Sequence, residues 1–289
     1  MKSASDLTSK QLIIPDDAQF IKLSDDLTIR YQTAGSGSQV ILLVPGWTMS
    51  AEVFERQQDY FKDSKTYRFI AIDPRSQGFS THTREGNYYE QHGRDLGQFI
   101  EKLALKDIVL GGWSSGGLDI LAYVNQFGSN NLKGLIMIDA APCGTGGDNT
   151  KDWVWYSKDD FDGLRKSLTQ GALLHREKMN DRFAREMVNN ASAGYLEWIN
   201  NIMNTTSNDI AALLNESSAY QDYTSDLKEL DGKVNLLYVV TSRWKSLVTD
   251  WSREHTPSAK IEIFDKHLSF WEDYIQFNSV LHAFLKDLK

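Results

Sequence analysis

The stretch DIVLGGWSSGGLDIL, residues 107–121, packs two glycine pairs around Trp113-Ser114-Ser115. Glycine gives up more backbone entropy on ordering than any other residue, so four of them here point to a turn that demands their freedom. An apolar run enters the turn and a helical pattern leaves it. Gly112-Trp113-Ser114-Ser115-Gly116 therefore reads as G-x-S-x-G in a strand–turn–helix setting. Such a turn holds a serine in a strained, exposed position, and small residues two places either side relieve the crowding between strand and helix. The helix leaving the turn points its unpaired N–H groups at the site, where negative charge would develop. No Lys follows in the G-x-x-x-x-G-K-[ST] spacing and G-x-G-x-x-G is not met, so a nucleotide cradle has little support.

The rest of the chain supplies the setting for this turn. Strands are expected at 19–23, 27–34, 39–45, 67–73, 107–113, 132–139, 233–240 and 260–265. Several are apolar on consecutive residues, as in strands covered on both faces. Helical patterns fall at about 50–63, 88–104, 115–128, 245–254 and 270–287. Alternation of the two predicts an α/β fold with a mostly parallel, eight-stranded sheet flanked by helices. The first two or three strands lack intervening helices and should be antiparallel at one edge. From Cys143 to about Asp231 no strand signal appears and four helical pieces follow one another. That interval is too long for a structureless loop and reads as a helical cap inserted after the sixth strand. The expected division is 1–142 and 231–289 for the core and 143–230 for the cap.

Composition narrows the function. The chain has 289 residues, enough for a full core without cross-links, and a net charge of −8 with no Lys/Arg cluster. Nucleic acid is a poor partner for such a surface. No stretch approaches the length of a membrane span, and the start, MKSASDLTSK, lacks a signal-peptide apolar run. The one cysteine, Cys143, cannot form an internal bridge and has nothing basic near it in sequence, so it should be inert in a reducing, cytoplasmic compartment. Six histidines and one cysteine show no zinc spacing, and neither a metal nor a cofactor is expected.

If Ser114 is a nucleophile, it needs a base and donors for an oxyanion. The N–H of Ser115 is one donor. Pro45-Gly46-Trp47-Thr48, after the strand at 39–45, places the N–H of Trp47 as the second. VPGWTMS (44–50), IDPRSQGFS (72–80), VLGGWSSGG (109–117), LIMIDAAP (135–142) and FDKHLSFWEDY (264–274) fall in an order that resembles the α/β-hydrolase fold superfamily over nearly the whole chain. IDPRSQGFS is similar to the superfamily's D-x-R-G-x-G-x-S segment, with Ser76 in place of a glycine; the resemblance makes Asp73 scaffold. Pro45 stands where a histidine commonly precedes the oxyanion-loop glycine.

The superfamily order Ser, acid, His implies His267 as base, since it follows the last strand. In many relatives the acid follows the strand corresponding to 233–240. Here that strand runs on as Thr241-Ser242-Arg243-Trp244-Lys245, without a carboxylate. Some branches take the acid from the strand before the insertion, where Asp139 stands. Asp250, or no working acid at all, are the alternatives. Trp113, Trp153 and Trp155 are expected to line a pocket for a small apolar or aromatic substrate.

This machinery would suit a serine hydrolase acting on an ester, thioester, lactone or activated carbon–carbon bond. PRSQG and GWSSGG also resemble non-haem haloperoxidases or perhydrolases. The PGW loop and an acid before the insertion resemble the cofactor-independent heteroaromatic dioxygenases of this fold, which would take a hydroxyquinolone-like substrate. A slow-hydrolysing ligand-binding protein on the same fold is a further alternative. Oligomeric state is not legible.

Overall fold

A computed structural model describes residues 18–288. The expectation about the first ten residues lies outside that range. The elements run β1 (Gln19–Lys22), β2 (Thr28–Ala34), β3 (Gln39–Val44), α1 (Glu55–Phe61), β4 (Tyr67–Ile72), α2 (Tyr89–Lys102), β5 (Ile108–Trp113), α3 (Gly116–Phe127) and β6 (Leu132–Ile138). The insertion follows as β7 (Cys143–Gly146), β8 (Val154–Ser157), α4 (Phe161–Leu174), α5 (Arg176–Glu186), α6 (Ala193–Met203), α7 (Asn208–Ser218) and α8 (Thr224–Glu229). The chain then completes the core with β9 (Asn235–Thr241), α9 (Lys245–His255), β10 (Lys260–Phe264), α10 (Ser269–Glu272) and α11 (Tyr274–Lys286).

The eight strands outside the insertion form one sheet in the order β1-β2-β4-β3-β5-β6-β9-β10. Pairing is antiparallel for β1 with β2 and for β2 with β4, and parallel from β4 onward. The antiparallel edge thus holds two strands, and β3 leaves β2 to lie between β4 and β5. Side chains alternate between two apolar layers as the strand period requires. Leu42 and Val44, Leu110, Leu135 and Met137 enter one layer with α2, α3 and α9. Ile41 and Leu43, Val109, Ile136 and Ile138 enter the other with α1 and α11. Because both faces are covered, the strands read as continuous apolar runs.

The insertion corrects one expectation. Cys143–Gly146 and Val154–Ser157 are strands, paired in parallel through Cys143 with Val154, Thr145 with Tyr156 and Gly146 with Ser157. Both are only four residues long, and CGTG carries little of the β-branched and aromatic content that signals a strand, whereas VWYS carries it. A close approach explains the glycine: a Cβ on Gly144 would meet the Ser218 carbonyl oxygen at 1.8 Å. Cys143 is buried, and burial together with nearby Asp222 pushes its thiol up to about 12. Among the described residues no helix is long and apolar enough to cross a membrane.

Candidate active site

Ser114 occupies the turn between β5 and α3 at φ 55°, a backbone conformation that an L residue adopts only under constraint. Its N–H donates to the Ile138 carbonyl at 2.9 Å, and its carbonyl accepts from Gly117 at 3.0 Å. The flanking glycines are sterically required. A Cβ on Gly112 would come to 2.2 Å from the Gly116 carbonyl oxygen, and one on Gly116 to 2.4 Å from that of Val44. Ser114 and the neighbouring, more exposed Ser115 line the same cavity.

Gly46 lies against this turn, so that a Cβ there would approach the Ser114 Cβ to 2.9 Å. The following Trp47 is fixed on the insertion: its indole N–H donates to the Ala211 carbonyl at 2.8 Å, and the Arg176 guanidinium lies 4.5 Å over its ring. Among the described residues neither the Trp47 nor the Ser115 main-chain N–H donates to a protein acceptor.

Asp139 follows β6 at φ 40° and is buried. One oxygen accepts from His267 Nδ1 at 2.6 Å; the other accepts from the Thr241 N–H and hydroxyl, each at 3.0 Å. Burial alone would push this carboxyl up. The His267 hydrogen bond and charge, the Thr241 N–H and the Arg243 charge outweigh it, so Asp139 is held below its ordinary value. The His267 ring sits among Trp113 (5.1 Å between centroids), Phe183 (5.8 Å) and Trp155 (6.3 Å). Asp250 is remote from this pair: it is a solvent-facing residue of α9 bonded to Arg253 at 2.7 Å.

Ser114, Asp139 and His267 line one cavity of about 470 Å³ with Trp47, Ser115 and Trp155. No hydrogen bond joins Ser114 to His267 among the described residues; catalytic contacts of this kind commonly tighten only when substrate is bound. Two of the expected pocket tryptophans lie elsewhere. Trp113 is fully buried at the end of β5, on the sheet face that packs against Phe270, and its indole N–H donates to the His267 carbonyl at 2.9 Å. Trp153 is buried between Tyr238 and Trp251. Cavity residues that the sequence did not announce include Tyr156, Phe183, Arg182 and Arg243. The run Thr241-Ser242-Arg243 is the sequence signal for Arg243 alone.

The α/β hydrolase fold model matches residues 39–225. The non-heme chloroperoxidase CPO-A1 of Kitasatospora aureofaciens is 26% identical, across 72% of this chain and 75% of that protein. The bifunctional esterase/perhydrolase DCH of Acinetobacter calcoaceticus is 26% identical, across 43% of this chain and 45% of that protein. Among solved structures, the bromoperoxidase from Bacillus anthracis superposes with a TM-score of 0.81 at 21% identity, covering 93% of this chain and all of that one. The sheet order, the turn at Ser114 and the matched span agree: this chain belongs to the α/β hydrolase fold family.

Proposed function

We propose that this α/β hydrolase fold enzyme is a serine hydrolase, cleaving an ester, thioester, lactone or activated carbon–carbon bond of a small substrate. Ser114 attacks the carbonyl while His267 takes its proton, and the N–H groups of Trp47 and Ser115 hold the oxyanion. Asp139 keeps the imidazole in the tautomer whose free nitrogen faces the serine. His267 then returns the proton to the leaving group, and water releases the acyl group by the same route. The observation that carries this reading is the 2.6 Å Asp139–His267 pair, opening on the same cavity as a serine held at φ 55°. Residues 143–230 act in it as a cap over the cavity, supplying Trp155, Tyr156 and Phe183 to its wall.

The test is hydrolysis of p-nitrophenyl esters of graded acyl length. Ser114→Ala should lower turnover by about 10⁴- to 10⁶-fold. Near-normal hydrolysis by that variant would sink the proposal.

A second reading is supported by the names of the chloroperoxidase and perhydrolase relatives. Hydrogen peroxide in place of water would take the acyl group from Ser114, giving a peracid and the free serine, and the peracid would oxidise halide. Bromination of monochlorodimedone in acetate and peroxide, lost in Ser114→Ala, is the outcome this reading requires. The dioxygenase alternative loses support, because the dioxygenases that the chain resembles often carry a histidine beside the serine and here that neighbour is Trp113, fully buried.

A further inference from the structure

We propose that the substrate carries a carboxylate of its own, bound by Arg243, so that the preferred acyl group is acidic at the end remote from the scissile bond. The inference rests on the hydrolytic reading above and specifies what that site accepts. β9 ends at Thr241, and the next turn puts Arg243 on the cavity wall. Its guanidinium lies 4.5 Å over the Trp244 ring and 5.6 Å over that of Trp155, and the two indoles are 4.7 Å apart. Stacking of this kind fixes the plane of the cation without using its N–H groups. Arg243 is exposed, and among the described residues its guanidinium makes no hydrogen bond or salt bridge, although its charge acts on Asp139. A stacked arginine with its N–H fork unspent is suited to a planar carboxylate, which it can bind through two parallel bonds.

The cavity wall carries other charges besides Arg243. Asp139 is held by His267 and Thr241. Arg182 reaches Glu186 at 3.8 Å on the exposed rim. Asp265 and Lys266 line the wall beside His267, and Asp265 acts on the charge of Asp273. Burial pushes the Tyr156 hydroxyl up, and the charges of Arg243 and Arg182 act in the opposite sense. Arg243 and Arg182 thus act on the part of the wall around Tyr156, while Leu168, Met179 and Met187 make another part apolar. An acyl chain with an aliphatic middle and an anionic end matches both.

In the reaction the Ser114 Oγ–acyl bond forms as the acyl–aryl oxygen bond of a half-ester breaks, and the phenol leaves with the proton held by His267. Water then gives its hydroxyl to the acyl carbon and its proton, through His267, back to Ser114. The products are a dicarboxylic acid and a phenol. Arg243 touches only the carboxylate already present.

The experiment compares kcat/KM for the mono-p-nitrophenyl esters of succinic, glutaric and adipic acids with the p-nitrophenyl esters of butyric, valeric and hexanoic acids. Wild type, Arg243→Gln and Arg243→Lys are assayed, with Ser114→Ala as the blank. Wild type should favour at least one acidic ester over its neutral counterpart by about tenfold or more. Arg243→Gln should lower that preference by about tenfold or more, chiefly through KM, and Arg243→Lys should restore part of it, since the charge returns without the planar fork. Equal preference in wild type, or an equal loss on both series in Arg243→Gln, overturns the inference while leaving Ser114-dependent hydrolysis intact. If no ester is turned over, the hydrolytic reading fails separately, and calorimetry with glutarate decides the site itself. Binding to wild type that is lost in Arg243→Gln supports it; equal binding, or none, overturns it.

Discussion

Asp139 shows how a single residue can be both read and underestimated in a sequence. Its place at the end of a strand before the insertion was legible, but what makes it a hydrogen-bonding partner of His267 is Thr241, a contact across 102 positions of sequence. Asp139→Asn should lower turnover by up to about 10⁴-fold, because the amide would select the wrong imidazole tautomer. Thr241→Val keeps the shape and removes one donor worth about 1 kcal/mol, so it should cost about five- to tenfold in kcat, with Thr241→Ser recovering most of it. An unchanged kcat in the valine variant would mean that the backbone N–H alone holds the carboxylate. The pH behaviour follows from the sign of the shift. Asp139 has its carboxyl lowered from 3.8 on folding, so its contribution to stability is complete above that pH and is lost as the pH falls through the folded value. The melting-temperature difference between wild type and Asp139→Asn should therefore shrink as the pH falls below about 4. Trp113 was misplaced for a reason at the same scale: adjacency to Ser114 in sequence suggested a pocket wall, whereas the last residue of β5 points into the sheet's apolar layer.

At the scale of elements, the β5–turn–α3 unit was the most legible because its requirements are steric and local. Gly112 and Gly116 are required by backbone atoms that no side-chain adjustment can move. Gly112→Ala would press a methyl group against a carbonyl oxygen at 2.2 Å, and we expect a loss of about 3 kcal/mol or more, seen as a collapse of the thermal melt or as insoluble protein. A melt within a degree of wild type would show that α3 can swing away from β5 at little cost. Ser76 belongs to the same logic: it takes φ 61°, a conformation that glycine adopts more readily than serine. The strand β7 was illegible because its cause is elsewhere in the chain. Cys143 also bridges to Asp222, and Gly144 packs against Ser218, so residues about eighty positions later create an extended conformation that CGTG does not favour by itself.

Across the whole molecule, the sheet order follows from the alternation of strands and helices, but the seating of the insertion on the core does not, since it depends on contacts between distant segments. The segment that carries His267 is where the two meet. Leu268 donates its N–H to the Met187 carbonyl at 2.9 Å, and Glu272 accepts from the N–H groups of Asn189 and Asn190 at 2.9 and 3.0 Å. Trp198 stacks on Trp271 with ring centroids 5.1 Å apart. The imidazole is thus braced from the core side by Trp113 and from the insertion side by α5 and α6, so that loosening the insertion should disturb the base as well as the cavity wall. Glu272 tests this coupling, because it touches neither the cavity nor the Asp139–His267 pair. Glu272→Ala leaves two partly exposed N–H groups to water, and we expect about 1 kcal/mol of lost stability, or a melting point lower by about 2–4 °C. Its larger effect should be kinetic, with kcat and KM for a short p-nitrophenyl ester changing together, as for a residue that governs how a mobile element closes. Glu272→Gln, which retains a carbonyl acceptor, should fall between the two. A variant with the lowered melting point and wild-type kinetics would separate the insertion from the chemistry and leave His267 positioned by the core alone.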